Sequence, residues 1–98
     1  MLYIRLCIDK AGQLELRERT RDAHRAYVIP ILQQGSVPRL LQGGPLRVDD
    51  NDNTNFASFM ILEADNLEEV RQFHEEDPFT KAGLYEQVYI HPWDKHVG

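Results

Sequence analysis

The sequence has little that would support a disulfide framework or a membrane segment. Its 98 residues include one cysteine, so no disulfide can form within the chain. Cys7 lies inside an apolar run, which predicts a small buried hydrophobic residue in a reducing compartment. The longest nearly apolar run, Phe56 to Leu62, is far shorter than the roughly 20 residues that cross a bilayer, and no basic segment leads into a signal-peptide core. We therefore expect a cytosolic protein with no membrane segment.

Positive charge is also scarce. The 11 Lys and Arg residues are outnumbered by 16 Asp and Glu, which gives a formal net charge of -5 at pH 7. Arg17, Arg19, Arg21 and Arg25 are interleaved with acidic residues, so no basic stripe is available to neutralise a phosphate backbone. Nucleic acid is therefore not expected as a partner. A chain of this length has little room for a second core, so we predict one domain over residues 1–98.

Motifs that bind nucleotides, activate serine or hold a structural zinc are absent. The sequence lacks G-x-x-x-x-G-K, G-x-G-x-x-G, G-x-S-x-G and paired C-x-x-C. The adjacent glycines of the segment Gly43-Gly44-Pro45 permit a close approach of the backbone to a ligand and are equally typical of a turn. We keep these three residues as candidates for contact with a small-molecule ligand.

In the first part of the chain, periodicity predicts a strand and a long helix. Apolar and other residues alternate over Leu2–Ile8, as in a strand. Good helix formers fill Leu14–Gln34, and Gly35 stands where a C-terminal cap is expected. Pro30 lacks a backbone donor, so this helix should kink near Ala26 or begin a new segment at the proline.

The remaining chain predicts three strands and a second helix. The polar loop Val48–Asn55 is a hairpin connection. An N-cap at Asp65 or Asn66, and Pro78 after the last turn, bound the helix. The predicted elements are a short strand over Val37–Leu41 closed by Gly43-Gly44-Pro45, a strand over Phe56–Glu63, a helix over Leu67–Glu76 and a strand over Leu84–His91.

This order, β-α-β-β-α-β, predicts a ferredoxin-like α+β fold with a four-stranded antiparallel sheet and two helices on one face. We assign the aliphatic side of the first strand (Leu2, Ile4, Leu6 and Ile8) to the helices. Tyr3, Arg5 and Tyr89 then point the other way and are candidates for substrate binding. Because both sheet faces carry large apolar or aromatic residues, we predict a homodimer that pairs the uncovered faces.

Histidine is the side chain whose ordinary pKa suits proton transfer near neutral pH, and the sequence has four. His24 lies in the middle of the first helix, at the edge of its core face, and is a candidate for proton transfer. The alternative is a structural histidine that is hydrogen-bonded to a neighbouring carboxylate. His74, which precedes two glutamates, is predicted to lie on a solvated helix face. His91, Asp94 and His96 form a loose group of possible ligands without a second cluster, so we predict no metal site.

Asp77 is the carboxylate that stands apart from the others. It follows the predicted C-terminus of the second helix, where the helix dipole disfavours a negative charge, and Pro78 restricts its backbone. A functional role would explain this placement. The alternative is that Asp-Pro is a common start of a turn.

Several short motifs, in this order and spacing, resemble the YciI-like (YCII-related) family. The likeness covers nearly the whole chain. It rests on Leu2-Tyr3, Arg21-x-x-His24, Gly43-Gly44-Pro45-Leu46, Asp77-Pro78-Phe79 with Ala82-Gly83-Leu84, and Pro92-Trp93. The sequence departs from the usual pattern at Pro30 and in a somewhat longer segment from Gly35 to Gly43.

The resemblance implies a dimeric α+β barrel with an active site built on a histidine and an aspartate, which fall here on His24 and Asp77. One characterised branch of the family is a dehydrochlorinase that acts on a chlorinated hydroxyquinol by acid–base chemistry without a cofactor. The leading hypothesis is thus a cofactor-free lyase or isomerase acting on a small cyclic or aromatic metabolite. The alternative is a non-catalytic module of the same fold that binds a small molecule or serves in assembly.

Overall fold

The computed structural model describes residues 1–32 and 34–98 and contains four strands and three α-helices. In chain order they are β1 (Leu2–Asp9), α1 (Leu14–Val28), β2 (Arg39–Asp49), β3 (Asp52–Glu63), α2 (Leu67–Glu76), α3 (Pro78–Lys81) and β4 (Tyr85–Pro92). The strands form one sheet with the order β2-β3-β1-β4, and all neighbours are antiparallel. The predicted ferredoxin-like α+β fold is confirmed.

The helices cover the sheet face that carries Tyr3, Met60 and Leu62. These side chains form a buried cluster with residues of both long helices, including Val28 of α1 and Phe73 of α2. No helix in the described part of the chain combines the length and the hydropathy that crossing a bilayer requires.

The sheet face under the helices is not the aliphatic one. In β1 the buried side chains are Tyr3, Arg5 and Cys7, whereas Leu2, Ile4, Leu6 and Ile8 are only half-buried on the open face. The prediction that the aliphatic side faces the helices is therefore wrong. The physical reason is that Arg5 finds buried polar partners among the helices, while no helix in the described residues covers the aliphatic side. Cys7 is a buried free thiol, as predicted.

The first helix ends earlier than predicted. α1 stops at Val28, and a 3-10 turn over Ile29–Ile31 places Pro30 in its first turn. Proline cannot donate the backbone hydrogen bond that would continue the α-helix, so the chain leaves the helix here. The predicted helix to Gln34 with a cap at Gly35 is wrong, whereas the predicted new segment at the proline is close to the observed turn.

β2 is longer than predicted and runs through the glycine pair. Gly43 lies opposite Met60, and Pro45 lies opposite Ser58, so these residues belong to a strand and not to a turn. The proline is tolerated because β2 is an edge strand. β3 also begins at Asp52, four residues before the predicted Phe56, so the predicted loop over Val48–Asn55 is reduced to a turn between Asp49 and Asp52.

The second helix has the predicted bounds. The Asn66 side chain accepts a hydrogen bond from the backbone N–H of Glu69 at 2.9 Å and caps the helix. The Glu69 carboxylate accepts a hydrogen bond from the backbone N–H of Asp65 at 3.1 Å, which gives a variant of the predicted capping box. After α2, the short helix α3 is an element that the sequence pattern did not predict.

Candidate active site

Asp77 lies between α2 and α3 and is fully buried. Its backbone is extended, as expected for a residue before proline, and α3 begins at Pro78. The Asp77 side chain accepts a hydrogen bond from the backbone N–H of Phe79 at 2.9 Å. Asp77 is therefore the N-cap of α3, which stabilises the negative charge that the end of α2 alone would disfavour.

His24 forms the other half of a hydrogen-bonded pair with Asp77. His24 Nδ1 lies 2.7 Å from Asp77 Oδ1, and the imidazole stacks on the Phe79 ring with centroids 4.1 Å apart. Because a carboxylate accepts hydrogen bonds, this contact assigns the proton of the neutral ring to Nδ1. In this neutral tautomer, Nε2 carries no proton and can accept one from a ligand.

Arg5 neutralises Asp77 from the other side. Its Nη1 lies 2.8 Å from Asp77 Oδ2, and both side chains are buried (1% and 0% exposed). This contact is an ion pair without a well-aligned hydrogen bond to Oδ2. Arg5 also donates from Nε to His74 Nδ1 at 3.0 Å and from Nη2 to Thr80 Oγ1 at 3.3 Å. Arg5 thus lies behind the pair under the helices, which corrects its predicted orientation.

The surroundings fix the charge of both partners of Arg5. Burial alone raises the pKa of Asp77, but the hydrogen bond from His24 and the positive charge of Arg5 outweigh it and hold that pKa below its ordinary value. Burial and the charge of Arg5 lower the pKa of His74 to about 4. Near neutral pH, Asp77 is therefore a carboxylate and His74 is a neutral acceptor. The prediction that His74 lies on a solvated helix face is wrong.

A cavity of about 430 Å³ opens beside His24. Its wall includes Gly43, Gly44 and Pro45, whereas Asp77 and Arg5 do not line it. The remaining lining residues are Arg17, Arg21, Arg25, Val28, Ile29, Leu32, Leu40, Asn55, Ser58, Met60 and Phe79. His24 thus lies between the buried Asp77 carboxylate and the cavity. A volume of this size accommodates a small organic molecule.

Two other predicted ligand contacts lie away from this cavity. Tyr3 is 3% exposed and belongs to the hydrophobic core. Tyr89 pairs with Leu6 on the open sheet face and is 43% exposed. A register shift at the end of β1 places Tyr85 on the helix side instead, where it stacks with His74 at 6.1 Å.

A wider depression of about 500 Å³ lies on the open sheet face and includes Leu2, Ile61 and Trp93. It contains no acid–base pair. In residues 1–32 and 34–98, no three His, Cys, Asp or Glu side chains are arranged to hold a metal ion. The cavity beside His24 is therefore the candidate site.

The sequence pattern did not predict the three cavity arginines (Arg17, Arg21 and Arg25) or Phe79 as site residues. A usable signal is present, because residues three or four apart on a helix lie on one side and Arg21 precedes His24 by three residues. In the sequence, their acidic neighbours argue against nucleic-acid binding, and Arg21 stands out only as part of the Arg21-x-x-His24 motif. Phe79 had no signal besides its place in the Asp77-Pro78-Phe79 motif.

The fold and this site define a class: small ferredoxin-like α+β proteins in which a histidine beside a cavity is paired with a buried aspartate. Within that class, the chain belongs to the YCII-related domain family, whose family model matches residues 1–94. This confirms the resemblance seen in the sequence. Protein YciI of Escherichia coli O6:H1 is 35% identical over 99 residues, which cover 97% of this chain and 98% of that protein. An uncharacterized protein of Haemophilus influenzae is 30% identical over the same lengths.

Solved structures show the same fold. The chain is similar to 5-chloro-2-hydroxyhydroquinone dehydrochlorinase (TftG) of Burkholderia phenoliruptrix, solved in complex with 2,5-dihydroxybenzoquinone, with 35% identity and a TM-score of 0.83. That match covers 98% of this chain and 96% of TftG. SnoaB, a cofactor-independent oxygenase of Streptomyces nogalater, has a TM-score of 0.53 at 10% identity and covers 98% and 93% of the two chains. At that identity SnoaB shows the fold alone.

Proposed function

We propose that this protein is a cofactor-independent enzyme in which His24 transfers a proton to or from a small cyclic or aromatic metabolite. The observation that carries the proposal is the 2.7 Å contact between His24 Nδ1 and the buried Asp77 carboxylate, on a ring that lines a cavity. Asp77 orients the imidazole and stabilises its cation after proton uptake, the role that a carboxylate has behind a catalytic histidine. Arg5 and Phe79 hold the carboxylate in place.

The similarity to TftG supports an elimination as the reaction. In the proposed sequence, one hydroxyl of a chlorinated, hydroxylated ring becomes a carbonyl as its proton moves to the carbon that carries chlorine. His24 Nε2 then accepts the proton of a second hydroxyl while a new ring C=C bond forms, the C–Cl bond breaks and its electron pair leaves with chloride. The net change is loss of HCl, and no oxidant or reductant is consumed. An isomerase would use the same proton transfer and return the proton to another atom of the substrate.

The competing function is a non-catalytic module that binds a small molecule. A histidine and carboxylate sealed away from any cavity would favour a structural hydrogen bond. Here His24 has one nitrogen on Asp77 and lines a cavity of about 430 Å³, an arrangement that favours chemistry. Specific binding of a small molecule without turnover would favour the non-catalytic binding module.

We expect the wild-type protein to bind 2,5-dihydroxybenzoquinone and to release chloride from 5-chloro-2-hydroxyhydroquinone. Ligand at about 100 times its Kd stabilises the folded state by about 2.7 kcal/mol, which a thermal melt detects as a higher Tm. A chloride electrode measures turnover without any cofactor added. Binding without chloride release would support the binding module, and the absence of both would contradict the dehydrochlorinase proposal.

We also propose that residues 1–98 form one domain and that this domain pairs as a homodimer. The open sheet face supports the homodimer. Ile4 and Leu6 lie opposite Ile61 and Phe59, so aliphatic and aromatic side chains form a continuous half-buried patch. Such a patch is typical of an interaction surface. A two-fold pairing of identical patches would bury it.

Replacing Ile4 with glutamate should convert the dimer to a monomer. A carboxylate at the centre of the buried patch lacks a partner, and we expect the dimer dissociation constant to rise by about 100-fold or more. Light scattering after gel filtration measures the mass. Leu14→Glu, at the start of α1, is the matched control and should leave the dimer intact. A monomeric wild type, or equal masses for the two variants, would contradict the proposed interface.

A further inference from the structure

Three arginines follow one side of α1 along the cavity. Arg17, Arg21 and Arg25 are spaced four residues apart, and all three line the cavity with His24. Residues with this spacing are neighbours on a helix surface. In the described part of the chain, the cavity wall contains no aspartate or glutamate. A chain with a net charge of -5 therefore has a basic cavity.

Only the first of these arginines is neutralised. Arg17 is 5% exposed and donates to both carboxylate oxygens of Asp9, at 2.6 and 3.0 Å, and to Ser58 Oγ at 2.9 Å. Arg21 and Arg25 are exposed, and neither forms an ion pair with any residue in 1–32 or 34–98. The cavity thus has two free guanidinium groups one turn apart.

This arrangement works against helix stability. Like charges four residues apart repel each other, so the pair Arg21 and Arg25 destabilises α1. Glu18 and Asp22 lie on the same helix three residues before Arg21 and Arg25, but neither approaches within ion-pair distance. Arg19, on another side of α1, has Glu15 within 4.0 Å. A repulsive charge pattern confined to the cavity is expected where a ligand supplies the missing negative charge.

We propose that Arg21 and Arg25 bind an anionic oxygen group of the ligand, either a carboxylate or an ionised phenol, and so determine which ring compounds enter the site. This inference rests on the proposed function and names its substrate class. Guanidinium groups suit this role because they donate paired hydrogen bonds to planar oxygen anions. The apolar wall formed by Leu40, Met60 and Phe79 faces the rest of the ring.

The test compares the binding of benzoate with that of benzyl alcohol, which has the same ring without the charge. Isothermal titration at low ionic strength should show that benzoate binds about tenfold tighter or more, and that added salt weakens benzoate alone. Arg21→Gln and Arg25→Gln should each weaken benzoate about three- to tenfold and leave benzyl alcohol unchanged. Arg19→Gln removes the same charge from α1 outside the cavity and should change benzoate binding less than about twofold.

A second arm uses 4-nitrophenolate at a pH above its ionisation, to distinguish an ionised phenol from a carboxylate. Binding of either anion through Arg21 and Arg25 supports the proposal. Equal affinity for benzoate and benzyl alcohol, no binding of any probe, or an equal loss in Arg19→Gln would overturn it. These measurements need no turnover. If the binding test fails, the proton-transfer role of His24 is still judged by activity. If the activity test fails, the anion-binding role of Arg21 and Arg25 is still judged by titration.

Discussion

Replacing His24 with glutamine is expected to lower kcat for chloride release from 5-chloro-2-hydroxyhydroquinone by about 10²–10⁴-fold, the usual contribution of a general acid or base. Glutamine keeps an N–H that can donate to Asp77 but cannot accept and hold a proton near neutral pH. The loss should fall on kcat more than on KM, because the removed interaction is a proton transfer in the transition state. Initial rates of chloride release measure both parameters.

The same variant distinguishes a catalytic histidine from a structural one. His24 is 11% exposed and stacks on Phe79, so its replacement also has a packing cost. Benzoate titration and the thermal melt report whether the cavity and the fold persist in His24→Gln. His96→Gln, in the exposed C-terminal segment, is the matched control. A folded His24→Gln protein that keeps its rate within a few-fold would show that His24 only supports the structure.

Local signals in the sequence predicted the elements well. Asn66 and Glu69 mark the start of α2, and Pro78 marks its end, because these side chains and this ring act on the backbone within one turn. The order of strands and helices followed from periodicity and determined the fold class. The longer β2 was missed because Gly43 and Pro45 are typical of turns in isolation and are tolerated in a strand only at a sheet edge.

Which sheet face the helices cover could not be predicted from alternation. Period-two patterns show that β1 has two different sides, but they do not show what covers each. The aliphatic side was assigned to the helices because burial usually follows hydropathy. In this protein the helix side includes Arg5, whose charge is stabilised by Asp77, a residue 72 positions further along the chain. Tyr89 does lie away from the helices, as predicted, but on the face of Leu6 and not on that of Tyr3 and Arg5.

The sequence predicted the His24–Asp77 pair of the candidate site but not the residues around it. His24 and Asp77 were chosen on the resemblance to a family, together with the properties of histidine and of Asp-Pro. His74 was assigned to solvent because two glutamates follow it, yet its imidazole accepts a hydrogen bond from Arg5. Contacts of this kind join residues far apart in sequence and become visible only in the folded chain.

Replacing Asp77 with asparagine should destabilise the protein by about 3–5 kcal/mol, the usual cost of removing one partner of a buried ion pair. Asparagine can keep its oxygen toward the Phe79 N–H and His24. Its amide NH2 then faces the Arg5 guanidinium, so a donor lies against a donor and the buried positive charge loses its anion. Urea unfolding measures the change. Asp94→Asn, in the exposed C-terminal segment, should change stability by less than about 0.5 kcal/mol.

The double variant Arg5→Met/Asp77→Asn separates the ion pair from the other contacts of Asp77. Removing both charges leaves no isolated buried ion, so the double variant should lose less stability than the sum of the two single variants, by about 0.5–3 kcal/mol. It also keeps the prediction measurable if Asp77→Asn alone does not fold. Additive losses would show that Arg5 and Asp77 stabilise the protein independently.

The free energy of unfolding measured at acid pH gives a second test of the Asp77→Asn prediction. Asp77 has a pKa below its ordinary value of 3.8 in the folded protein, so the unfolded state binds the proton first as the pH falls. Its contribution is complete above the unfolded pKa and is lost as the pH falls through the folded pKa. Asp77→Asn cannot lose this contribution, so the stability gap between wild type and variant should narrow in strong acid. The control Asp94→Asn should show no such change with pH. A stability gap between wild type and Asp77→Asn that stayed constant down to low pH would mean that Arg5 is not paired with an ionised Asp77.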